Sequence, residues 1–179
     1  MPIWRTGITT TTAVLLIGAA TMAAAQSSVS AAPSAPSTNS GIAKLHTNVD
    51  LPPGTWTNTP LEVTIPRPGT YALNADVRGR LAGVPPLNTY LSARLWNVTS
   101  GAKVPESERL VYQIINLNRG NAQAGGNQTA PISELIRVTK PTTIRLQAQD
   151  NNAAGAATIA QVYSDGVGYT ALRYVRVSP

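Results

Sequence analysis

From Leu61 to Val177 the chain is a succession of short segments in which apolar and polar residues alternate. Proline, glycine or asparagine breaks the pattern every dozen or so residues. Leu61, Val63 and Ile65 alternate with Glu62 and Thr64, the period of two that marks a strand with one buried face. Pro66-Arg67-Pro68-Gly69 turns the chain; Tyr71, Leu73, Ala75 and Val77 then face one way, and Asn74, Asp76, Arg78 and Arg80 the other. The same pattern predicts further strands over 88–98, 109–117, 132–138, 142–149, 157–163 and 168–177. Turns fall at 82–86, 99–103, 140–142 and 150–155, and a Gly-, Asn- and Gln-rich loop runs over 118–130. No sustained i, i+3, i+4 apolar spacing competes for a helix. Eight or nine short strands at this spacing predict an all-β domain, a two-sheet antiparallel β-sandwich, jelly roll or barrel.

Two of the strands are apolar on both faces. In the first, Leu110, Tyr112 and Ile114 oppose Val111, Ile115 and Leu117; in the second, Leu172 and Tyr174 oppose Val175 and Val177. An antiparallel sandwich usually leaves one face of each sheet wet, so a second apolar face needs cover. If a neighbouring copy provides it, Leu110, Tyr112, Ile114, Leu172 and Tyr174 are the candidate oligomer interface. If the chain provides it, loops or the segment 45–56 fold over these positions.

The alternation does not reach the first 41 residues. Arg5, the apolar run Ala13 to Ala20 and the small residues Ala23-Ala24-Ala25 have the order of a secretory signal peptide over 1–25. Residues 26–41, rich in Ala, Ser and Pro and free of charge, read as a flexible linker that cannot bury enough surface to order itself. The folded domain is expected over 42–179, secreted or held at the cell surface, with no membrane span left after cleavage. A domain of this size buries enough of its unfolded surface to have a core, and none of its stability can come from disulfides, since cysteine is absent.

Composition excludes more chemistry than it suggests. His46 is the single histidine, which excludes a zinc site of several His or Cys; beside the linker and inside no recognisable motif, it reads as an exposed edge residue rather than the base of a Ser-His-Asp triad. Among eight carboxylates, Glu106, Glu108 and Glu134 are the ones a glycoside hydrolase could use, and each reads more simply as a turn, edge or Arg-paired charge. No cofactor is expected. Asp150-Asn151-Asn152 begins like a calcium loop but lacks the later ligands, which leaves open a loop calcium site drawing on Asp150 and Asp165. The net charge of +6, mostly arginine, suits contact with a glycan or cell-wall polyanion, yet the cations are dispersed and there is no specific nucleic-acid motif. Trp56, Tyr90, Trp96 and Tyr163 are the candidate ligand-contact aromatics, since their rings offer flat apolar faces with polar edges.

Four segments carry a family resemblance: 68–73 (PGTYAL), 88–95 (NTYLSARL), 138–146 (VTKPTTIRL) and 170–177 (TALRYVRV). In these the chain resembles the C1q/TNF-like jelly-roll superfamily, although Lys140-Pro141-Thr142 stands where that family usually has Gly-Asp, and phenylalanine is missing. The resemblance implies a jelly roll that associates as a homo-oligomer, a trimer by preference, and works by recognition. Composition and resemblance together lead to a secreted, non-enzymatic binding or structural module. A carbohydrate- or wall-binding module using the exposed Trp and Tyr is the alternative, and a secreted hydrolase comes last.

Overall fold

The computed structural model describes residues 39–120 and 122–179, so the expected signal peptide and nearly all of the expected linker lie outside the described residues. The strands are β1 (Ser40–Lys44), β2 (Val49–Asp50), β3 (Thr57–Ile65), β4 (Gly69–Gly83), β5 (Leu87–Asn97), β6 (Ala102–Lys103), β7 (Arg109–Asn116), β8 (Ala124–Val138), β9 (Thr142–Ala154), β10 (Ile159–Val162) and β11 (Ala171–Ser178). They form two antiparallel sheets. One, sheet A, has the order β1-β11-β4-β8, with β10 and β2 continuing past the end of β11 along the same edge of β4. The other, sheet B, has the order β3-β9-β5-β7, with the short β6 beside the far end of β5. Successive long strands mostly switch sheets, and their interleaved order is that of a jelly-roll sandwich.

The period-two pattern does what it predicts. Along β4, Tyr71, Leu73, Ala75, Val77 and Leu81 are buried, and along β5 so are Leu87, Leu91, Ala93 and Leu95. With Leu61, Ile65, Ile132, Ile144 and Leu146 they fill the space between the sheets. Fully burying one such side chain is worth roughly 1.5–3 kcal/mol. The stretch 45–56 contributes to the same core through Leu45 and Leu51.

Three expectations change. The loop expected over 118–130 is half strand: β8 begins at Ala124 and pairs with β4 along its whole length, from Gly83↔Ala124 to Gly69↔Val138. The turn expected at 150–155 is largely the end of β9, with Asp150 buried. The linker gives way to β1 at Ser40, because Ser40 and Gly41 pair with Val175 and Tyr174.

The proposed interface residues are also corrected. Leu172 (0 % exposed), Tyr174 (7 %) and Ile114 (8 %) belong to the core, and Tyr112 packs against it. Leu110, at 55 % exposed, is the one of the five on an outer surface. The cause in β7 is a bulge: the register slips between Leu91↔Tyr112 and Ser92↔Leu110, so Val111 turns inward along with Ile114. In β11 the inward face is the Leu172–Tyr174 face, where Tyr174 meets Tyr71 edge to face at 5.7 Å. Val175 and Val177 are the exposed side.

Candidate functional site

The outer face of sheet B is built from alternate residues of its strands. Asn88, Tyr90, Ser92, Arg94 and Trp96 point outward from β5, and Arg145, Gln147, Gln149 and Asn151 from β9 beside them. Cross-strand pairing sets the rows: Glu62, Arg145, Trp96 and Lys103 lie side by side, and Asn58, Gln147 and Arg94 form the next row. Trp56, just before β3, reaches this second row.

Arg94 is the centre of the arrangement. Its guanidinium carbon lies 3.9 Å from the ring centroid of Trp56 and 5.0 Å from that of Trp96. Its Nε donates to Gln147 Oε1 at 2.8 Å, and Gln147 Nε2 in turn donates to Asn58 Oδ1 at 2.7 Å. Burial pushes the Arg94 guanidinium pKa down, an effect that the nearby Glu108 carboxylate opposes. Trp56, Trp96, Tyr90 and Arg94 are all half-buried, so one side of each ring system meets solvent. Tyr90 lies about 20 Å along β5 from Trp96, at ~3.4 Å per residue. Beside the platform, Ser92, Lys103, Glu106, Glu108, Arg109 and Leu110 line an open depression of about 380 Å³.

Of the four aromatics read from the sequence, Trp56 and Trp96 come together and Tyr90 shares their face; Tyr163 does not. Tyr163 is 2 % exposed and belongs to sheet A, where Arg78 and Arg80 lie over its ring at 4.3 and 4.5 Å. Alternation along β5 made Arg94 and Trp96 neighbours on one face. The approach of Trp56 and the Gln147–Asn58 brace follow from strand pairing, which no local pattern carries.

Asp150 and Asp165 are not brought together. Asp150 is buried in β9, with Oδ1 accepting from Thr89 and Oδ2 from Asn152. Asp165 sits beyond β10, where Arg78 donates to it at 2.7 Å and the amides of Val167 and Gly168 also donate. These interactions, the Arg78 hydrogen bond first, hold its carboxyl down at about 2. Among the described residues no group of three His, Cys, Asp or Glu side chains is placed to hold a metal ion. The carboxylates considered for hydrolysis are occupied or lone. Glu134 is held by Arg109 at 2.7 Å and Glu108 by Lys103 at 3.2 Å, while Glu106 reaches Arg109 through its backbone carbonyl.

No family model matches the chain, and no curated protein matches it. Among solved structures it is similar to proteins of infectious bursal disease virus. The Gt-strain structure aligns at 13 % identity over 76 % of this chain and 33 % of that one, with a TM-score of 0.46. The VP2 subviral particle aligns at 14 % identity over 78 % and 33 %, with a TM-score of 0.38. The chain therefore spans about a third of the length of these proteins. No helix among the described residues is long and apolar enough to cross a membrane.

Proposed function

We propose that this chain is an exported, non-enzymatic binding module that recognises a glycan of a cell surface or wall through the outer face of sheet B. The observation that carries the reading is the half-exposed pair Trp56 and Trp96, fixed about Arg94 on a face lined with amide and hydroxyl side chains and with the paired charges Arg145–Glu62 and Lys103–Glu108. A sugar ring has an apolar face for an indole to cover and hydroxyls at its rim. Ser92 and Gln149 form the next row along the same face, and Tyr90 and Asn151 the row beyond, where further sugars of a polymer would meet them. Against catalysis stands the state of the acids. Five of the eight carboxylates are in ion pairs, so a free acid facing a free base has few candidates left. The leader-like residues 1–25 support export.

The direct test is retention of the protein on insoluble wall polysaccharide, for wild type, Trp56→Ala and Trp96→Ala. Both variants should keep the β-sheet circular dichroism and lose retention. Undiminished retention of both would remove the platform from the account.

A second reading, self-association, has its own observation. Val175, Ala72 and Leu135 stand in one row across β11, β4 and β8, with Ile42 and Val177 exposed nearby. This row, on the outer face of sheet A, replaces the set inferred from β7 and β11 as the surface on which copies would meet. Membership of the C1q/TNF-like superfamily goes with this reading. The four resembling segments all fall on strands, at the start of β4, in β5, from β8 into β9 and in β11. Light scattering decides it: a trimer that Leu135→Arg converts to monomer supports the reading, and a wild-type monomer removes it.

A further inference from the structure

We infer that the ligand of sheet B carries carboxylates and that Arg94 reads them, which makes the glycan a polyuronate, an acidic polysaccharide. The inference rests on the glycan-binding reading and narrows its ligand.

Among the described residues five cations are held in ion pairs, as Arg78–Asp165, Lys103–Glu108, Arg109–Glu134, Arg145–Glu62 and Arg173–Asp76, and the unpaired cations other than Arg94 lie on sheet A or in loops. Arg94 has no such pair, although it stands in the middle of a sheet face. Glu108 is near enough to act on it through space but is committed to Lys103. The Arg94 Nε is already used by Gln147, which Asn58 holds in turn, and the guanidinium lies over the indoles of Trp56 and Trp96, its carbon 3.9 and 5.0 Å from their ring centroids. The position and tilt of the guanidinium are thus set in advance. Its two terminal nitrogens have no hydrogen-bond partner among the described residues and are not sealed from solvent.

An exposed planar fork that is already ordered is the complement of a planar carboxylate, which it binds through two parallel N–H···O bonds. Little side-chain entropy remains to be lost on binding. The partial desolvation of Arg94 strengthens its attraction for an anion. A uronate offers such a carboxylate on a pyranose ring, and Trp56 and Trp96 lie beside the fork to cover that ring. The ion pairs at Arg145 and Lys103 flank the site without adding a second unpaired cation, so recognition of the acid concentrates on one residue.

The test uses the exported protein with polygalacturonate and with the same polymer fully methyl-esterified, which keeps the backbone and removes the charge. Wild type should bind the acid form at least roughly tenfold more tightly, the value of a charge-assisted hydrogen bond. Arg94→Lys keeps the charge but loses the fork. It should give up most of that preference, read as the ratio of acid to ester affinity within the one variant. Should Arg94→Lys unfold, Gln147→Ala, which frees the guanidinium to rotate, should lower the preference for the acid form. Equal wild-type affinity for acid and ester overturns the inference and leaves glycan binding standing. A preference unchanged in Arg94→Lys, or in Gln147→Ala where that variant stands in, overturns it equally. Failure of wild type to bind either polymer or any neutral wall polysaccharide takes down both readings.

Discussion

A methyl group added to Gly125 would come within 2.7 Å of Ala82 Cβ and 2.8 Å of the Leu81 carbonyl oxygen, so β8 can lie this close to β4 only with no side chain there. Gly125→Ala should therefore cost about 1–3 kcal/mol in urea unfolding, and Gly126→Ala, whose methyl would meet only the Tyr112 hydroxyl at 2.7 Å, should cost less. Asp165 gives a prediction in pH. Its carboxyl, held at about 2 by Arg78 and the loop amides, is lower in the folded chain than the ordinary value of 3.8. The stabilisation it confers is fully present above pH ~4 and is lost as the pH falls toward 2. The gap in urea midpoint between wild type and Asp165→Asn should thus be constant at neutral pH and close over that acidic window. A gap that persists unchanged at pH 2 would mean the carboxylate charge is not what Arg78 uses.

At the scale of elements, alternation placed β4 and β5 correctly because each has one continuous inward face, from Tyr71 to Leu81 and from Leu87 to Leu95. It misplaced β7 because a bulge adds one residue and shifts the buried set to Val111 and Ile114. It misread the start of β8 because Gly125 and Gly126 look like loop residues. Here they are strand residues kept small by Ala82 and Tyr112. In β11 the pattern was right and the choice of face was not, since two apolar faces give no local clue to which is inside. The consequence is measurable. Leu172→Ala should destabilise the fold by about 2–5 kcal/mol, as a large-to-small change in the core does. Leu110→Ala should shift stability by no more than ~0.5 kcal/mol. Comparable losses at both positions would contradict the assignment of inner and outer faces. Of the proposed binding face, Tyr90, Arg94 and Trp96 were legible as one side of a strand. Trp56 and the exclusion of Tyr163 were not, because each depends on which strands become neighbours.

At the scale of the whole molecule, the two outer faces differ in kind. Both carry ion pairs, but sheet A adds a buried tyrosine and an apolar row suited to another copy, while sheet B adds half-exposed tryptophans around one unpaired arginine. If the second copy sits on sheet A, sheet B stays free and each protomer contributes one platform, so weak sites on an oligomer would act together on a polymer. The sequence has three tryptophans, and the proposed cleavage after Ala25 would remove Trp4, leaving Trp56 and Trp96 as the tryptophans of the cleaved chain, both on the platform. Titration of tryptophan emission with soluble wall polysaccharide therefore reads the central claim directly. A saturable shift or quenching that tracks bound polymer is the expected result. Emission that stays unchanged while the protein is demonstrably bound would place the binding face elsewhere.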